Sequence, residues 1–210
     1  MDYFPYGNKE INYLKSKDII LGNEIDKIGL IKRPIDADLF TSLVTSITSQ
    51  QISTAAARTI NGRLLAKAGT LTPESLLALG VNEIQTCGLS IRKATYIYEI
   101  CEKIINKEFN LDEIENLNDE EAIKELTKLR GIGRWTAEML LLFSMLRKDI
   151  LSYDDLAIQR GMRMLYQLER IDRNTFESYR ELYSPYGSVA SLYLWDIASG
   201  KHGHIDPKNS

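Results

Sequence analysis

Leu129-Arg130-Gly131-Ile132-Gly133-Arg134-Trp135-Thr136-Ala137 decides how the chain folds. Two glycines one residue apart separate a charged amphipathic run from a strongly apolar one, Met139-Leu140-Leu141-Leu142-Phe143-Ser144-Met145-Leu146. The apolar run is too short for a membrane span and reads as a core helix. The pattern predicts a tight hairpin joining two helices, the second starting at Arg134 or Trp135. The N–H groups that open a helix lack intrahelical partners and carry the positive end of its dipole, so hairpin and helix start together suit an anion such as a phosphate. About twenty residues on, the acidic pair Asp154-Asp155 precedes another helical pattern.

Working outward, nearly every segment carries helical periodicity. Upstream of the hairpin, Asn118 and Glu121 form a capping box for a helix bearing Ala122, Leu126 and Leu129. Ser90 opens a long amphipathic helix with Ala94, Ile97, Ile100, Cys101 and Ile104 on one face. Arg92 and Lys93 stand in its first turn, where cations oppose the helix dipole and call for an anionic partner or acidic neighbours. Short helices run from Pro73 to Gly80 and on to Gly88. Ser53 caps a helix with Ala56, Ile60, Leu64 and Leu65 inward, and Asp36 caps one with Leu39, Leu43, Val44 and Ile47 inward. Residues 9–16 and 18–30 are helical and end at Gly29 and Pro34. After Asp155, helices carry Leu156 to Leu168, residues 174–183 and the segment after Gly187, and a polar tail from Ser199 frays. No segment alternates as a strand does, so the fold class is all-α.

Composition narrows the function. The 210 residues are 44% hydrophobic, enough for a core without covalent staples. Cys87 and Cys101 are too few for a disulfide framework or a four-cysteine cluster, and no Cys, His and carboxylate grouping predicts zinc; His202 and His204 lie on the polar tail. The opening residues lack a signal-peptide pattern, which predicts a cytoplasmic protein. A net charge of -3 argues against a protein that coats nucleic acid by bulk positive charge.

Taken alone, Gly131 and Gly133 fit an ordinary turn. The whole run, with an aspartate at 155, resembles the helix-hairpin-helix DNA glycosylase superfamily, nearest the AlkA-type 3-methyladenine DNA glycosylase II branch, which shares Gly-Ile-Gly-Arg-Trp-Thr-Ala almost verbatim. Ile47-x-x-Gln50-x-Ile52-Ser53, Gly88-Leu89-Ser90-x-Arg92-Lys93-Ala94, Pro185-Tyr186-x-Ser188 and Leu194-Trp195 follow the same order, so the resemblance covers residues 36–198. It implies two helical lobes, a bundle of residues 39–147 containing the hairpin (126–146), and a second lobe of residues 1–38 with 148–210, with an active-site cleft between them. The N-terminal sheet domain of AlkA-type enzymes and the iron–sulfur cluster of sister branches are both expected to be missing.

The resemblance also assigns roles. Gly131, Gly133 and Thr136, with Arg134 at the helix start, would grip the DNA backbone through peptide dipoles more than net charge. Arg130, which stands where a proline is usual, would reach a neighbouring phosphate. The backbone carbonyls of Thr127, Leu129 and Ile132 would hold a monovalent cation (Na or K), with no other cofactor required. Gln51 would wedge into the duplex from a loop that includes Gln50 and Ser53, and Arg92 and Lys93 would contact the backbone; the plainer readings are a solvated helix end and surface charge. Trp135 and Trp195 would wall a base pocket, unless Trp135 merely fills the core. Met139 and Asp196 replace aromatic residues of the AlkA type there.

Asp155 matches the catalytic aspartate, with Asp154 the better candidate for capping the next helix and Asp155 left free. A carboxylate there would stabilise the oxocarbenium-like sugar while an alkylated base leaves. Relatives that cut the backbone carry a lysine where this chain has Trp135, and an indole cannot form a Schiff base. The expected activity is therefore hydrolytic removal of alkylated bases, foremost 3-methyladenine, from damaged double-stranded DNA by a monomer without lyase chemistry or membrane association. Removal of oxidised, deaminated or mismatched bases, and a non-catalytic DNA-binding module, are the alternatives.

Overall fold

Helix starts organise the chain, because most of them fall where a side chain can accept the first unpaired N–H groups. The computed structural model describes residues 2–35, 38–201, 203 and 205–207. Along it run α1 (Asn8–Lys17), α2 (Ile19–Ile28), α3 (Leu39–Ser49), α4 (Thr54–Ala68), α5 (Pro73–Thr86) and α6 (Ile91–Ile105), then α7 (Leu111–Asn116), α8 (Asp119–Leu126), α9 (Arg134–Phe143), α10 (Leu156–Tyr166), α11 (Arg173–Tyr183) and α12 (Gly187–Ala198). Asp18, Asp38, Ser53, Thr72, Ser90, Asn110, Asn118, Asp155 and Asp172 each accept from a first-turn N–H of the helix that follows. Such caps are worth about 1 kcal/mol each. Among the described residues there is no strand, only one isolated bridge between Tyr3 and Pro34, so the all-α expectation holds. None of the described helices is long and apolar enough to cross a membrane.

The chain divides into two compact units, Asp36–Met145 and Met1–Ile35 with Leu146–Ser210. In the first, α5 packs on α6, α8 on α9, and α3 touches α4, α6 and α9. Leu43, Ile47, Leu64, Leu76, Ile84, Ile97, Leu126 and Leu141 are fully buried there, each worth about 1.5–3 kcal/mol in removal from water. In the second, α10 packs on α12 and α1 on α2. There Asp18 accepts from the hydroxyls of Tyr166 and, at 3.2 Å, Tyr183, which ties α2 to α10 and α11. Burial pushes both tyrosine hydroxyls above their ordinary pKa.

Local details differ from the sequence expectations. Asp36 lies outside the described residues; the α3 cap is Asp38, at 2.9 Å from the Thr41 N–H. On α4, Ala56 and Leu65 are exposed and the inward stripe is Ala57 and Leu64, with Asn61 accepting from the Thr48 hydroxyl. The helix rests on α3 and α5 along a narrow line, so one step of rotation decides which apolar residue is covered. The two short helices after Pro73 run as α5, broken at Gly80, whose φ of 72° ordinary residues rarely adopt. The polar tail does not simply fray, since Arg163 on α10 pairs with buried Asp206 at 2.7 Å. His202 and His204 lie outside the described residues.

Candidate active site and nucleic-acid interface

The hairpin between α8 and α9 depends on its two glycines for different reasons. Gly131 adopts a φ of +89°, and a Cβ there would come 2.6 Å from the Tyr96 ring. Gly133 has an ordinary φ of -89°, and nothing lies within 4 Å of where its Cβ would be. Gly131 is thus required by the fold, whereas the smallness of Gly133 leaves space on the outside of the turn. Gly133 is also the N-cap of α9 and has no side chain to cap it, so the helix presents its positive end without a capping carboxylate or hydroxyl.

The loop between α3 and α4 is fastened to this hairpin. Gln50 Nε2 donates to the Gly131 carbonyl at 2.7 Å, and Lys93 Nζ donates to the carbonyls of Thr48 and Gln50 at 3.0 and 2.5 Å. Lys93 is therefore turned inward as a cap on the C-terminus of α3, where a cation is favourable. Burial, and then the neighbouring Arg92, lowers its pKa from the ordinary lysine value. Its partners are carbonyls rather than the anion or acidic neighbours suggested by its place on α6. Gln51, at the exposed tip, has a φ of +58°, a strained conformation for a residue with a side chain. Ile52 beside it, to which the sequence reading gives no role beyond its place in the motif, is an exposed apolar residue; its position directly after the polar run was the available signal.

Several expected DNA contacts have partners within the unit. Arg130 pairs with Glu99 at 2.7 Å and stacks its guanidinium over Tyr96. Arg134 pairs with Glu120 at 2.7 Å and Glu138 at 3.0 Å, and the Glu120 hydrogen bond chiefly raises its pKa. Ser53 Oγ accepts from Ala56 N, Arg92 is exposed, and the Thr136 side chain is turned inward at 9% exposure. Trp135 is 45% exposed, so it is not a core-filling residue; Met139, one turn further along α9, is half-buried.

In the other unit, Asp155 is 6% exposed and caps α10 itself. Its Oδ1 accepts from Ala157 N at 2.8 Å and Ile158 N at 2.9 Å. Asp154 is exposed, so the cap that the sequence suggested for it belongs to its neighbour. Capping engages only one oxygen of Asp155; the other, Oδ2, accepts from Trp195 Nε1 at 3.2 Å. The segment leading to it is fixed from α12: Asp149 accepts from Gly187 N at 3.0 Å, and Ser188 Oγ accepts from Ile150 N at 2.9 Å and donates to the Arg147 carbonyl at 2.5 Å. Leu156, next to the carboxylate, is 79% exposed, unusual for a leucine at a helix start.

Arg33 places its guanidinium 5.9 Å from the Trp195 ring centroid. Together with Ile31, Leu192, Asp196 and Ser199 these two line a groove of about 170 Å³. Nothing in the local pattern around Arg33 marks it, since its relation to Trp195 exists only once α12 is folded. The carbonyl of Leu129 accepts from Ile132 N at 3.1 Å and keeps a second lone pair. Neutral carbonyls without a carboxylate suit a monovalent rather than a divalent cation, and no cluster of metal-binding side chains occurs among the described residues.

These features have counterparts in known proteins. The model of the HhH-GPD superfamily base excision DNA repair proteins matches residues 44–185. DNA-3-methyladenine glycosylase 1 of Schizosaccharomyces pombe is 35% identical over 161 residues, 74% of this chain and 71% of that protein. A DNA-3-methyladenine glycosidase structure from Bacillus halodurans aligns with a TM-score of 0.84 at 35% identity, covering 94% of this chain and 93% of that one. The Schizosaccharomyces pombe 3-methyladenine DNA glycosylase in complex with abasic DNA aligns with a TM-score of 0.78 at 31% identity, covering 90% and 96%. With two thirds of its length inside the family model and its hairpin intact, the chain belongs to the HhH-GPD superfamily of base excision DNA repair proteins.

Proposed function

We propose that this protein is a monofunctional DNA glycosylase that hydrolyses the N-glycosidic bond of alkylated bases, 3-methyladenine foremost, in duplex DNA. The observation that carries the reading is Asp155: a buried carboxylate with both oxygens hydrogen-bonded, held at a helix N-terminus. As the C1′–N bond breaks, the bond electrons leave with the base and positive charge develops on the sugar. A carboxylate already oriented in a water-poor site stabilises that charge without reorganising. Water then adds to C1′ and loses a proton, leaving an abasic site. An N-alkylated purine is cationic before cleavage and departs neutral, so a second carboxyl acting as general acid is not required. The names of the relatives from Schizosaccharomyces pombe and Bacillus halodurans support this choice of lesion.

The partner is duplex DNA held by the hairpin. The N–H groups around Gly133 and the start of α9 would bind a backbone phosphate, and the carbonyls of Thr127, Leu129 and Ile132 would hold a monovalent cation that stiffens the turn. Gln51 would fill the gap left by the flipped nucleotide; flipping costs a few kcal/mol of lost stacking. The half-exposed indole of Trp135 offers a face for a cationic base, worth about 0.5–2 kcal/mol. It also stands where the backbone-cutting relatives have their lysine, so no covalent intermediate forms.

The test is base release from duplexes carrying defined lesions, followed by alkali to reveal abasic sites and by borohydride to trap Schiff bases. Release of 3-methyladenine with no nick before alkali and no trapped adduct is expected. Excision confined to oxidised or mismatched bases would replace the substrate assignment, and tight binding without excision of any lesion would reduce the protein to a binding module.

Gly133→Ala is expected to lower affinity for a duplex with a tetrahydrofuran abasic analogue by roughly ten- to a hundredfold, the worth of one hydrogen bond to a charged group. Its melting temperature should stay close to wild type, because no neighbour meets the added methyl. Gly131→Ala should instead lower stability, through Tyr96 and the positive φ. Fluorescence anisotropy and thermal melts of the two variants separate these effects.

A further inference from the structure

The two oxygens of Asp155 are held by different means. Oδ1 is fixed by two backbone N–H groups of the first turn of α10. The carboxylate plane is not set by them alone, because rotation about the Cβ–Cγ bond of an aspartate is soft. The indole N–H of Trp195 donates to Oδ2 at 3.2 Å and opposes that rotation. This is a donor with a single hydrogen and no acceptor capacity, matched to an oxygen that accepts.

The indole is itself immobilised. Trp195 follows Leu194, whose carbonyl oxygen would lie 2.2 Å from a Cβ on Gly161; that approach of α12 to α10 exists only because residue 161 has none. On the ring face, the Arg33 guanidinium stands 5.9 Å from the centroid. A cation over an indole draws on its π-density and strengthens the N–H as a donor. Arg33 and the carboxylate thus occupy one face and the polar edge of Trp195.

We propose that Trp195 is a positioning residue for Asp155, held in place by Arg33 and by the Gly161–Leu194 approach, and that orienting the carboxylate is its principal task. This rests on the reading of Asp155 as the group that stabilises the sugar cation. Phenylalanine at 195 would preserve a ring and remove the donor.

Two measurements test it. The first needs no activity: the chain has two tryptophans, so its ¹⁵N spectrum has two indole N–H resonances, assigned with Trp135→Phe. Asp155→Asn keeps an oxygen to cap α10 but turns an amide NH₂ toward the indole. The Trp195 resonance is expected to shift, and its solvent exchange to quicken by about tenfold, as a hydrogen bond is lost. An unchanged resonance overturns the proposal.

The second compares a duplex carrying a pyrrolidine abasic analogue, cationic at the sugar, with one carrying neutral tetrahydrofuran. Neither contains the excised base, so loss of a stacking wall leaves their affinity ratio unchanged. In Trp195→Phe the preference for pyrrolidine is expected to fall by about tenfold or more, equivalent to one hydrogen bond to a charged group. A preference equal to that of wild type overturns the proposal. Failure of the glycosylase reading looks different, since wild-type protein would then release no base from alkylated DNA whatever the indole resonance does.

Discussion

Asp155→Asn is expected to slow single-turnover release of 3-methyladenine by roughly 100- to 1,000-fold, the usual loss when one preorganised electrostatic contact to a transition state is removed. The substitution is chosen to spare the fold. Asparagine caps helices as well as aspartate, so the bonds from Ala157 and Ile158 to Oδ1 survive and α10 keeps its start. What disappears is the negative charge proposed to stabilise the sugar cation. Binding of a tetrahydrofuran duplex should change little, since the hairpin proposed to hold the backbone belongs to the other unit. Asp154→Asn is the matched control: its side chain is exposed and should leave release within about twofold of wild type, as surface substitutions generally do. Rapid-quench release of radiolabelled base from both variants decides the matter. Asp155→Asn working within a few-fold of wild type would remove the carboxylate from the mechanism.

The features legible in the sequence are those determined over a few residues. Helix caps at Ser53, Thr72, Ser90 and Asn118 are local hydrogen bonds between a side chain and N–H groups two or three positions on, so residue type and spacing suffice. The hairpin was legible for the same reason, since paired glycines between two periodic runs leave the backbone few alternatives.

What could not be read is set by partners distant in the chain. Asp154 and Asp155 are chemically identical, and only burial beside α12 selects the second as both cap and acceptor of the Trp195 N–H. Lys93 looked like a cation at the wrong end of a helix because its true partners, the carbonyls of Thr48 and Gln50, lie more than forty residues upstream. Leu65 was expected inward on periodicity, yet α4 is covered along too narrow a stripe to bury it. Arg130 and Arg134 carry the charge that a phosphate would attract, but Glu99, Glu120 and Glu138 already hold them. Release from those carboxylates is part of the cost of any phosphate contact they make. The neutral N–H groups at Gly133 face no such competition, which is how a chain of net charge -3 can still be organised around a phosphate.

Gly161→Ala should have the largest effect on stability, and Gly62→Ala should act in the opposite direction. Both glycines lie inside helices, α10 and α4, where alanine is intrinsically favoured by about 1 kcal/mol. At Gly62 nothing lies within 4 Å of the added methyl, so that preference should appear as a gain of about 0.5–1 kcal/mol. At Gly161 the methyl would meet the Leu194 carbonyl at 2.2 Å for oxygen and 2.9 Å for carbon. These are backbone atoms in the middle of α12 and cannot rotate away, so the two helices must separate. Overpacking of this kind costs about 1–3 kcal/mol or more, enough to outweigh the helical gain. Urea unfolding should show a net loss of about 2 kcal/mol, and thermal melts a fall of roughly 4–8 °C for a chain of this size. The same separation would draw Trp195 from Asp155, so Gly161→Ala at a temperature where it remains folded should also release base more slowly. A variant as stable as wild type would mean that α10 and α12 have room between them, and the close approach that sets the Asp155–Trp195 contact would then have to be abandoned.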